Sequence, residues 1–144
     1  MTDAFDLERL YAGPNVGVLA TVGPGERAHA MPIWYLYEDG MFVMIAGDSS
    51  QKVRNIQRRG DATLVIDRRE LPYHAAMVRG RATVGPPPTE ELRLRMAVRY
   101  LAEERGRAYH ARTTADSSVT ITLHPDRVIE YEGSAGSSSA STAS

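Results

Sequence analysis

The spacing of the first three strand-like segments limits most strongly what this chain can fold into. The segments span residues 16–22, 28–37 and 41–46, and each is rich in β-branched, aromatic or other apolar residues. Turn sequences occupy residues 23–26 (GPGE) and 38–40 (EDG). Parallel neighbours need a crossover of about a dozen residues or more, which these connections cannot supply. The sequence therefore predicts an antiparallel meander.

The later segments extend this pattern. Further strands are predicted over residues 62–67, 75–84, 118–123 and 127–131, and helices over residues 4–11, 50–59 and from Thr89 onward. A doubly wound parallel fold would alternate helices with strands throughout, and this chain does not. Six or seven strands in this order predict a mainly β protein, built as a small closed or split barrel.

Composition suits one soluble domain. The chain has 144 residues, so we place a single domain at residues 1–132 and a disordered Ser/Ala/Gly-rich tail at residues 133–144. A net charge of −1 predicts no nucleic-acid or membrane partner, and no apolar run approaches the roughly 20 residues of a spanning helix. The acidic N-terminus does not resemble a signal peptide, so a cytoplasmic location is expected.

The sequence shows no constellation of catalytic side chains. It has no cysteine, which excludes thiolate nucleophiles, and its four histidines lack metal-ligand spacing. It contains no G-x-S-x-G elbow and no evident acid–base pair of carboxylates. We therefore predict no metal site and name no catalytic residue. Redox chemistry, if present, would need a cofactor.

Lys52 is the most distinctive charged residue. It is the one lysine among 17 basic residues. It lies in the first turn of the predicted helix 50–59, which begins just after Ser49. A cation there opposes the helix dipole by about 0.3 to 1 kcal/mol, which favours an anion nearby. Helix N–H groups, serine hydroxyls and an ammonium together resemble a phosphate site. A solvated lysine is the alternative, because most helix N-termini bind only water.

The strand around Trp34 combines aromatic residues with a proline. Strand alternation predicts two faces, with Ile33, Tyr35 and Tyr37 on one and Pro32, Trp34 and Leu36 on the other. Pro32 has no N–H to donate, which favours an edge position or a local irregularity. A planar ring could bind at such an edge beside Trp34. Ordinary core packing of Trp34 is the alternative, because aromatic residues usually serve packing.

Five segments, taken in order, resemble a known superfamily. They are residues 17–22 (GVLATV), 30–35 (AMPIWY), 52–56 (KVRNI), 78–82 (VRGRA) and 125–128 (PDRV). Their order is similar to that of the pyridoxamine 5′-phosphate oxidase-like split β-barrel proteins. Within that superfamily, the chain most resembles the actinobacterial flavin/deazaflavin oxidoreductases of class B, which use coenzyme F-420. The resemblance covers residues 5–132, and the ordered set carries it rather than any single motif.

The resemblance implies an architecture and a site. The architecture is a homodimer of six-stranded antiparallel split β-barrels with a few flanking helices, of the FMN-binding split barrel type, with two cofactor clefts at the interface. The ring of the cofactor would lie against the backbone of Pro32, Ile33, Trp34, Ala46 and Gly47. The phosphate would be held by Ser49, Ser50, Gln51, Lys52 and Asn55. Tyr73 is a further candidate for lining the cleft.

One departure from the resembling flavin-binding members bears on the cofactor. Many of them carry an arginine one or two residues before the lysine, where this chain has Gln51 and Ser50. The phosphomonoester of FMN, with a charge of roughly −1.5 to −2, favours an arginine fork as well as a lysine. The deazaflavin has a singly charged phosphodiester and an acidic tail, which Arg54, Arg58 and Arg59 could meet. We therefore favour F-420, with FMN as the alternative.

The function implied by the resemblance is an F-420-dependent reductase. The reduced deazaflavin would deliver a hydride to a small conjugated acceptor, such as a quinone, an enone or a biliverdin-like tetrapyrrole, while the protein orients the two. Two alternatives stay open. One is an FMN-dependent oxidase or reductase, and the other is a non-catalytic carrier of F-420 or haem with the same fold.

Overall fold

The structure, a computed structural model, describes residues 5–112, 117–133 and 137–142. The helices are α1 (Leu7–Ala12), α2 (Gln51–Arg58) and α3 (Glu90–Arg112). The strands are β1 (Gly17–Val22), β2 (Ala28–Ile33), β3 (Tyr35–Glu38), β4 (Met41–Gly47), β5 (Asp61–Arg68), β6 (His74–Val84), β7 (Ser118–Glu132) and β8 (Ser137–Thr142). The segment Pro24–Glu26, between β1 and β2, is a short 3-10 turn.

One antiparallel sheet contains all these strands. Seven lie in the order β2-β1-β5-β6-β7-β4-β3, and β8 pairs with β7 beside them. The mainly β, antiparallel fold class is confirmed. The predicted count of six strands is corrected to seven along this path, with β8 in addition. The predicted strand 28–37 divides at Trp34 into β2 and β3, and the predicted strands 118–123 and 127–131 are one long strand, β7.

The connection through Trp34 explains why the sheet is curled. β2 and β3 are the two ends of the seven-strand path, yet only Trp34 separates them in the chain. Because one residue spans at most about 3.6 Å, the two edges of the sheet meet at this point. Tyr100 of α3 fills the split between them. Its hydroxyl accepts a hydrogen bond from the Tyr35 N–H at 3.0 Å and lies 3.0 Å from the carbonyl oxygen of Asn15.

The inward face of the sheet forms the core. Its most buried side chains come from alternate strand positions and include Leu19, Phe42, Met44, Leu64, Ile66, Val78, Ile121 and Leu123. The alternation predicted for β3 is confirmed in part. Tyr35 lies opposite Met44 in the core, but Leu36, predicted on the other face, is also buried at 7% exposure. The Tyr35 hydroxyl donates to the carbonyl oxygen of Tyr11 at 3.2 Å, which holds α1 against the barrel. Burial raises the pKa of the Tyr35 phenol and that of the Tyr11 phenol well above the usual value for tyrosine.

The C-terminal segment departs from the prediction of disorder. Ser137–Thr142 forms β8, which pairs with the second half of β7, from Glu132 opposite Ser137 to Arg127 opposite Thr142. The first half of β7 has β4 on that side, so the second half would otherwise present an open edge. Backbone pairing does not require apolar side chains, which is why composition did not reveal it. Residues 134–136 and 143–144 lie outside the described residues.

The two longer helices flank the barrel. α2 packs against β1 and β6 and buries Val53, Asn55 and Ile56. α3 reverses direction at Ala102, where φ is 66° and ψ is 174°, so its two arms, 90–101 and 103–112, pack against each other. No helix in the described part of the chain is long and apolar enough to cross a membrane.

Candidate cofactor site

The N-terminus of α2 presents unsatisfied hydrogen-bond donors. Its first turn contains no acidic residue, and Ser50, at the N-cap position, makes no side-chain cap hydrogen bond. The Ser50 hydroxyl instead donates to the carbonyl oxygen of Gly47 at 2.7 Å, which closes the turn between β4 and α2. The N–H groups of the first turn are therefore left for an external acceptor. Such a helix start binds anions readily.

Lys52 adds a full positive charge to this turn. The residue is half-buried, and within the described ranges no carboxylate forms an ion pair with its ammonium. The Lys52 ammonium is unpaired within those ranges, and it is repelled by the positive end of the helix dipole. A bound anion would pair with the ammonium and also interact favourably with the dipole. The chemistry of Ser49, Ser50, Gln51 and Lys52 thus fits a phosphate group.

Asn55 lies inside the protein rather than on the surface of the turn. It is 1% exposed, its amide nitrogen donates to the Thr21 hydroxyl at 3.0 Å, and its amide oxygen accepts from Gln51 Nε2 at 2.7 Å. These bonds fasten the start of α2 to β1. The geometry indicates that Asn55 positions the turn, and its direct contact with a phosphate stays a prediction.

The arginines suggested for an acidic tail all have partners within the protein. Arg54 donates to the carbonyl oxygen of Ser49 at 2.5 Å and to Gln51 Oε1 at 2.7 Å, so it holds the turn in shape. Arg58 donates to the carbonyl oxygen of Val22. Arg59 forms ion pairs with Asp61 and Glu26. These contacts compete with the suggested role, which receives no support from the geometry.

The residues suggested for the ring of the cofactor differ in what they expose. Ile33 and Ala46 are 8% and 6% exposed and belong to the core, so their side chains are not available to a ligand. Gly47 is exposed at the end of β4, and no atom lies within 4 Å of the place a Cβ would take. Pro32 is exposed on β2, which confirms the predicted edge position.

Pro32 and Tyr73 line adjoining grooves on the surface. Pro32 lies in a groove of about 780 Å³ between the α1–β1 connection and the loop that contains Arg68 and Arg69. Tyr73 is 45% exposed and lines the next groove, of about 390 Å³, together with the same two arginines. That second groove includes no residue of the turn 47–55. The structure therefore brings Tyr73 to the arginine loop and not to the α2 turn.

Trp34 lies in a separate cavity, which we call the hairpin cavity. Its volume is about 220 Å³, and it is lined by Trp34, Ile45, Arg93, Met96, Ala97, Tyr109 and His110. The indole stacks on the ring of Tyr100, with the ring centres 4.9 Å apart and the planes 6° from parallel. Trp34 is thus neither plain core nor an open platform, because Tyr100 covers one face of its indole.

Three lining residues of this cavity, Arg93, Tyr109 and His110, were not predicted from the sequence. They come together because α3 reverses at Ala102, a non-glycine residue with positive φ. The neighbours of Ala102 include no glycine or proline, so the periodic pattern predicts one uninterrupted helix. Gly106 was the available signal, since an isolated glycine in a helical pattern often marks close packing.

His74 contributes to the packing of the barrel. His74 is buried, with Nε2 3.2 Å from Glu130 Oε2 and the ring of Phe5 packed edge-on against it at 5.4 Å. In the described part of the chain, no group of three or more His, Asp or Glu side chains is placed to hold a metal ion. The arrangement of His74 is that of a contact between β6 and β7.

The fold is that of a split-barrel protein, and the turn before α2 has the chemistry expected of a phosphate site. The profile of the pyridoxamine 5′-phosphate oxidase family matches residues 6–132, and the chain belongs to this family. No curated protein matches this chain.

Solved structures share the fold at low sequence identity. An F420 reductase superposes with a TM-score of 0.72 at 22% identity, over 89% of this chain and 98% of the reductase. A conserved hypothetical protein from Mycobacterium tuberculosis gives 0.74 at 18% identity, over 92% and 86% of the two chains. A heme binding protein from Mycobacterium smegmatis gives 0.69 at 20% identity, over 99% of this chain and 60% of that one. These likenesses show the fold alone.

Proposed function

We propose that this chain is a coenzyme F-420-dependent oxidoreductase that passes a hydride from the reduced cofactor to a small conjugated acceptor. The observation that carries the proposal is the α2 turn, where uncapped N–H groups and the unpaired Lys52 have no arginine at positions 50 and 51. Membership of the family and the fold shared with an F420 reductase support it.

The chain itself contributes binding and orientation. Bound F-420 supplies the hydride chemistry. Lys52, Ser49 and the first-turn N–H groups of α2 would hold the phosphate, while Asn55 and Arg54 keep the turn in shape. The backbone near Pro32 and Gly47 would face the ring. When the cofactor is held in a fixed orientation, the entropy of bringing the two reactants together is lost on binding and not in the transition state. A site without a catalytic side chain can accelerate hydride transfer in this way.

The charge of the phosphate is the physical reason for preferring F-420 to FMN. Lys52 supplies one unit of positive charge, and a helix N-terminus supplies about half a unit more. This suits the single negative charge of a phosphodiester. The terminal phosphate of FMN carries roughly −1.5 to −2 at neutral pH, more than the turn can match. Arg54, the guanidinium bonded to this turn, is engaged by Ser49 and Gln51.

Parallel titrations with F-420 and with FMN test the proposal. We expect saturable binding of F-420, followed by its absorbance and fluorescence, and binding of FMN weaker by about tenfold or more. A ratio of ten corresponds to a difference of about 1.4 kcal/mol in binding free energy. Saturable binding of FMN alone would overturn the proposal and favour an FMN-dependent oxidase or reductase.

Turnover separates an enzyme from a carrier. We expect reduced F-420 to be oxidised by at least one acceptor from a panel containing a quinone, an enone and biliverdin. Binding of F-420 without oxidation by any of them would indicate a non-catalytic carrier. Haem binding, the remaining alternative, is measured by its absorbance in the same preparations; a heme binding protein shares the fold. The cytoplasmic location belongs with these proposals and stays a prediction.

A second copy of the chain is the partner we propose. An apolar row crosses the outer face of the sheet through paired residues of five strands: Pro32, Val18, Val65, Met77 and Ile129. Pro32 is exposed and the other four are partly exposed, although a solvated face would favour polar residues. Apolar area of this kind, continuous across strands, marks an interaction surface.

Met77→Glu tests the dimer, because it puts a carboxylate in the middle of the apolar row. We expect the wild-type chain to scatter light as a dimer and Met77→Glu as a monomer, since an unpaired charge buried in an interface costs several kcal/mol. Gln57→Glu, on the exposed side of α2, adds the same charge and should leave the dimer intact. A monomeric wild type, or a dimeric Met77→Glu, would refute this interface.

A further inference from the structure

The hairpin cavity depends on contacts that hold the two arms of α3 together. A Cβ on Gly106 would come within 2.5 Å of Val98 Cα, so the arms approach more closely there than any other residue allows. His110 Nε2 lies 3.1 Å from Glu90 Oε2, which joins the end of the second arm to the start of the first. The cavity is therefore shaped by the close packing of the two arms and by the contact between His110 and Glu90.

Arg93 is the cation that the fold leaves available in this cavity. The first arm of α3 carries two other arginines near it, and both are used: Arg95 pairs with Glu38 at 2.7 Å, and Arg99 donates to the carbonyl oxygens of residues 11–13. Arg93 is half-buried and forms no ion pair or side-chain hydrogen bond with any residue that the structure describes. A half-buried guanidinium without a partner favours an anionic ligand.

The rest of the lining favours a flat, apolar molecule. Trp34 and Tyr109 contribute aromatic rings, with centres 6.0 Å apart and planes tilted by 59°, and Ile45, Met96 and Ala97 contribute aliphatic surface. Among the residues that the structure describes, no Asp or Glu lines the cavity, and the carboxylate of Glu90 contacts His110. Aromatic walls with one guanidinium form a site that binds a planar ring and its carboxylate together.

Size limits the ligand further. The cavity of about 220 Å³ is smaller than the roughly 300 to 1,000 Å³ typical of sites for drug-sized ligands. A molecule with one or two fused rings fits this volume, whereas an open-chain tetrapyrrole with four rings does not. The bound molecule would thus be a compact aromatic or quinonoid acid.

We propose that the hairpin cavity binds a planar one- or two-ring molecule carrying a carboxylate, with Arg93 as the carboxylate-binding residue. Its role as the acceptor site rests on the proposed function, because Trp34 also belongs to the strand junction suggested for the ring of the cofactor. The binding itself does not depend on any cofactor. It narrows the acceptor class from quinones, enones and tetrapyrroles to small quinonoid or aromatic acids.

Calorimetric titration of the protein without cofactor tests the binding. The probes are 2-naphthoate and its uncharged analogue 2-naphthamide, and the variants are Arg93→Gln and the control Arg105→Gln, an exposed arginine that does not line the cavity. We expect naphthoate to bind at least about tenfold more tightly than naphthamide, and Arg93→Gln to abolish that difference while Arg105→Gln preserves it. Trp34, the sole tryptophan, should change its fluorescence on binding.

Three results would overturn the inference. They are equal affinity for the two probes, retention of the difference in Arg93→Gln, and naphthoate binding without any change in Trp34 fluorescence.

A titration of the F-420 complex then tests the acceptor role: naphthoate should still bind, and displacement of F-420 would assign the cavity to the cofactor instead. Failure to bind F-420 would refute the proposed function and leave the cofactor-free result intact, so the two failures are distinguishable.

Discussion

Lys52→Ala is expected to weaken F-420 binding by about 10- to 100-fold. Hydrogen bonds to charged groups contribute about 1.5–3 kcal/mol, and the ammonium is the one full positive charge that the sequence places in the turn 47–53. In the absence of cofactor, the same substitution should leave stability unchanged or raise it by up to about 1 kcal/mol, because it removes a cation from the positive end of α2. Fluorescence titration and urea unfolding measure the two effects.

The opposite signs of these two effects make the experiment decisive. A residue kept for stability loses both binding and stability when it is truncated, whereas a residue kept for a ligand loses only binding. Gln57→Ala is the matched control, since Gln57 lies exposed on the same helix. It should leave the affinity for F-420 within about twofold of the wild type. Unchanged affinity in Lys52→Ala would show that this lysine is merely solvated.

Salt dependence provides a second measure of the same contact. The affinity of the wild type for F-420 should fall as salt rises, because exposed charges are screened over about 8 Å at physiological ionic strength. The slope should be shallower in Lys52→Ala. Equal slopes would indicate that the charge that binds F-420 lies elsewhere, for instance among the arginines of the loop after β5.

Local sequence signals were sufficient for most of the sheet. Short turns require antiparallel neighbours, and the alternation around Tyr35 correctly places that residue in the core. It does not account for Leu36, which is buried on the other face. The division at Trp34 was not predictable in this way, because the residues on both sides favour strands. What separates β2 from β3 is a change of partner, from β1 to β4, and partners distant in sequence leave no mark on a local pattern.

The two candidate sites differ in how much of them can be predicted from sequence. The α2 turn is continuous in the chain, so the types and order of residues 47–53 were enough to suggest an anion site. Asn55 shows the limit, since its bond to Thr21 depends on how α2 packs on β1. The hairpin cavity is assembled across the reversal at Ala102. Among 16 arginines, only the folded contacts distinguish Arg93 from Arg95 and Arg99.

A bulge opposite Gly80 shows the same dependence on pairing. The sequence around Pro125 predicts a turn between two strands, but β7 continues through it. The register with β6 shifts by one residue here: Arg79 lies opposite Arg127 and Gly80 opposite Pro125, which leaves Asp126 as the extra residue. A bulge tolerates a proline inside a central strand, since the missing N–H falls where the ladder is already interrupted.

Gly80→Ala is expected to destabilise the protein by about 3 kcal/mol or more, the largest effect on folding that we predict. An added Cβ would lie 2.0 Å from the carbonyl oxygen of His124 and 3.0 Å from Pro125 Cα. Both are backbone atoms of β7, so no side chain can rotate away to make room. The strands would have to separate at the centre of the sheet, where β6 is paired on both sides.

Urea unfolding of Gly80→Ala and Gly47→Ala measures this effect against a matched control. Gly47 is also a strand glycine, but no atom lies within 4 Å of its would-be Cβ, so Gly47→Ala should change the free energy of unfolding by less than about 0.5 kcal/mol. Gly80→Ala that folds poorly, while Gly47→Ala folds normally, would agree with the expectation. Equal unfolding midpoints for the two variants would contradict it. The bulge would then be open enough to admit a methyl group, and the close approach of β6 to β7 would not require a glycine at position 80.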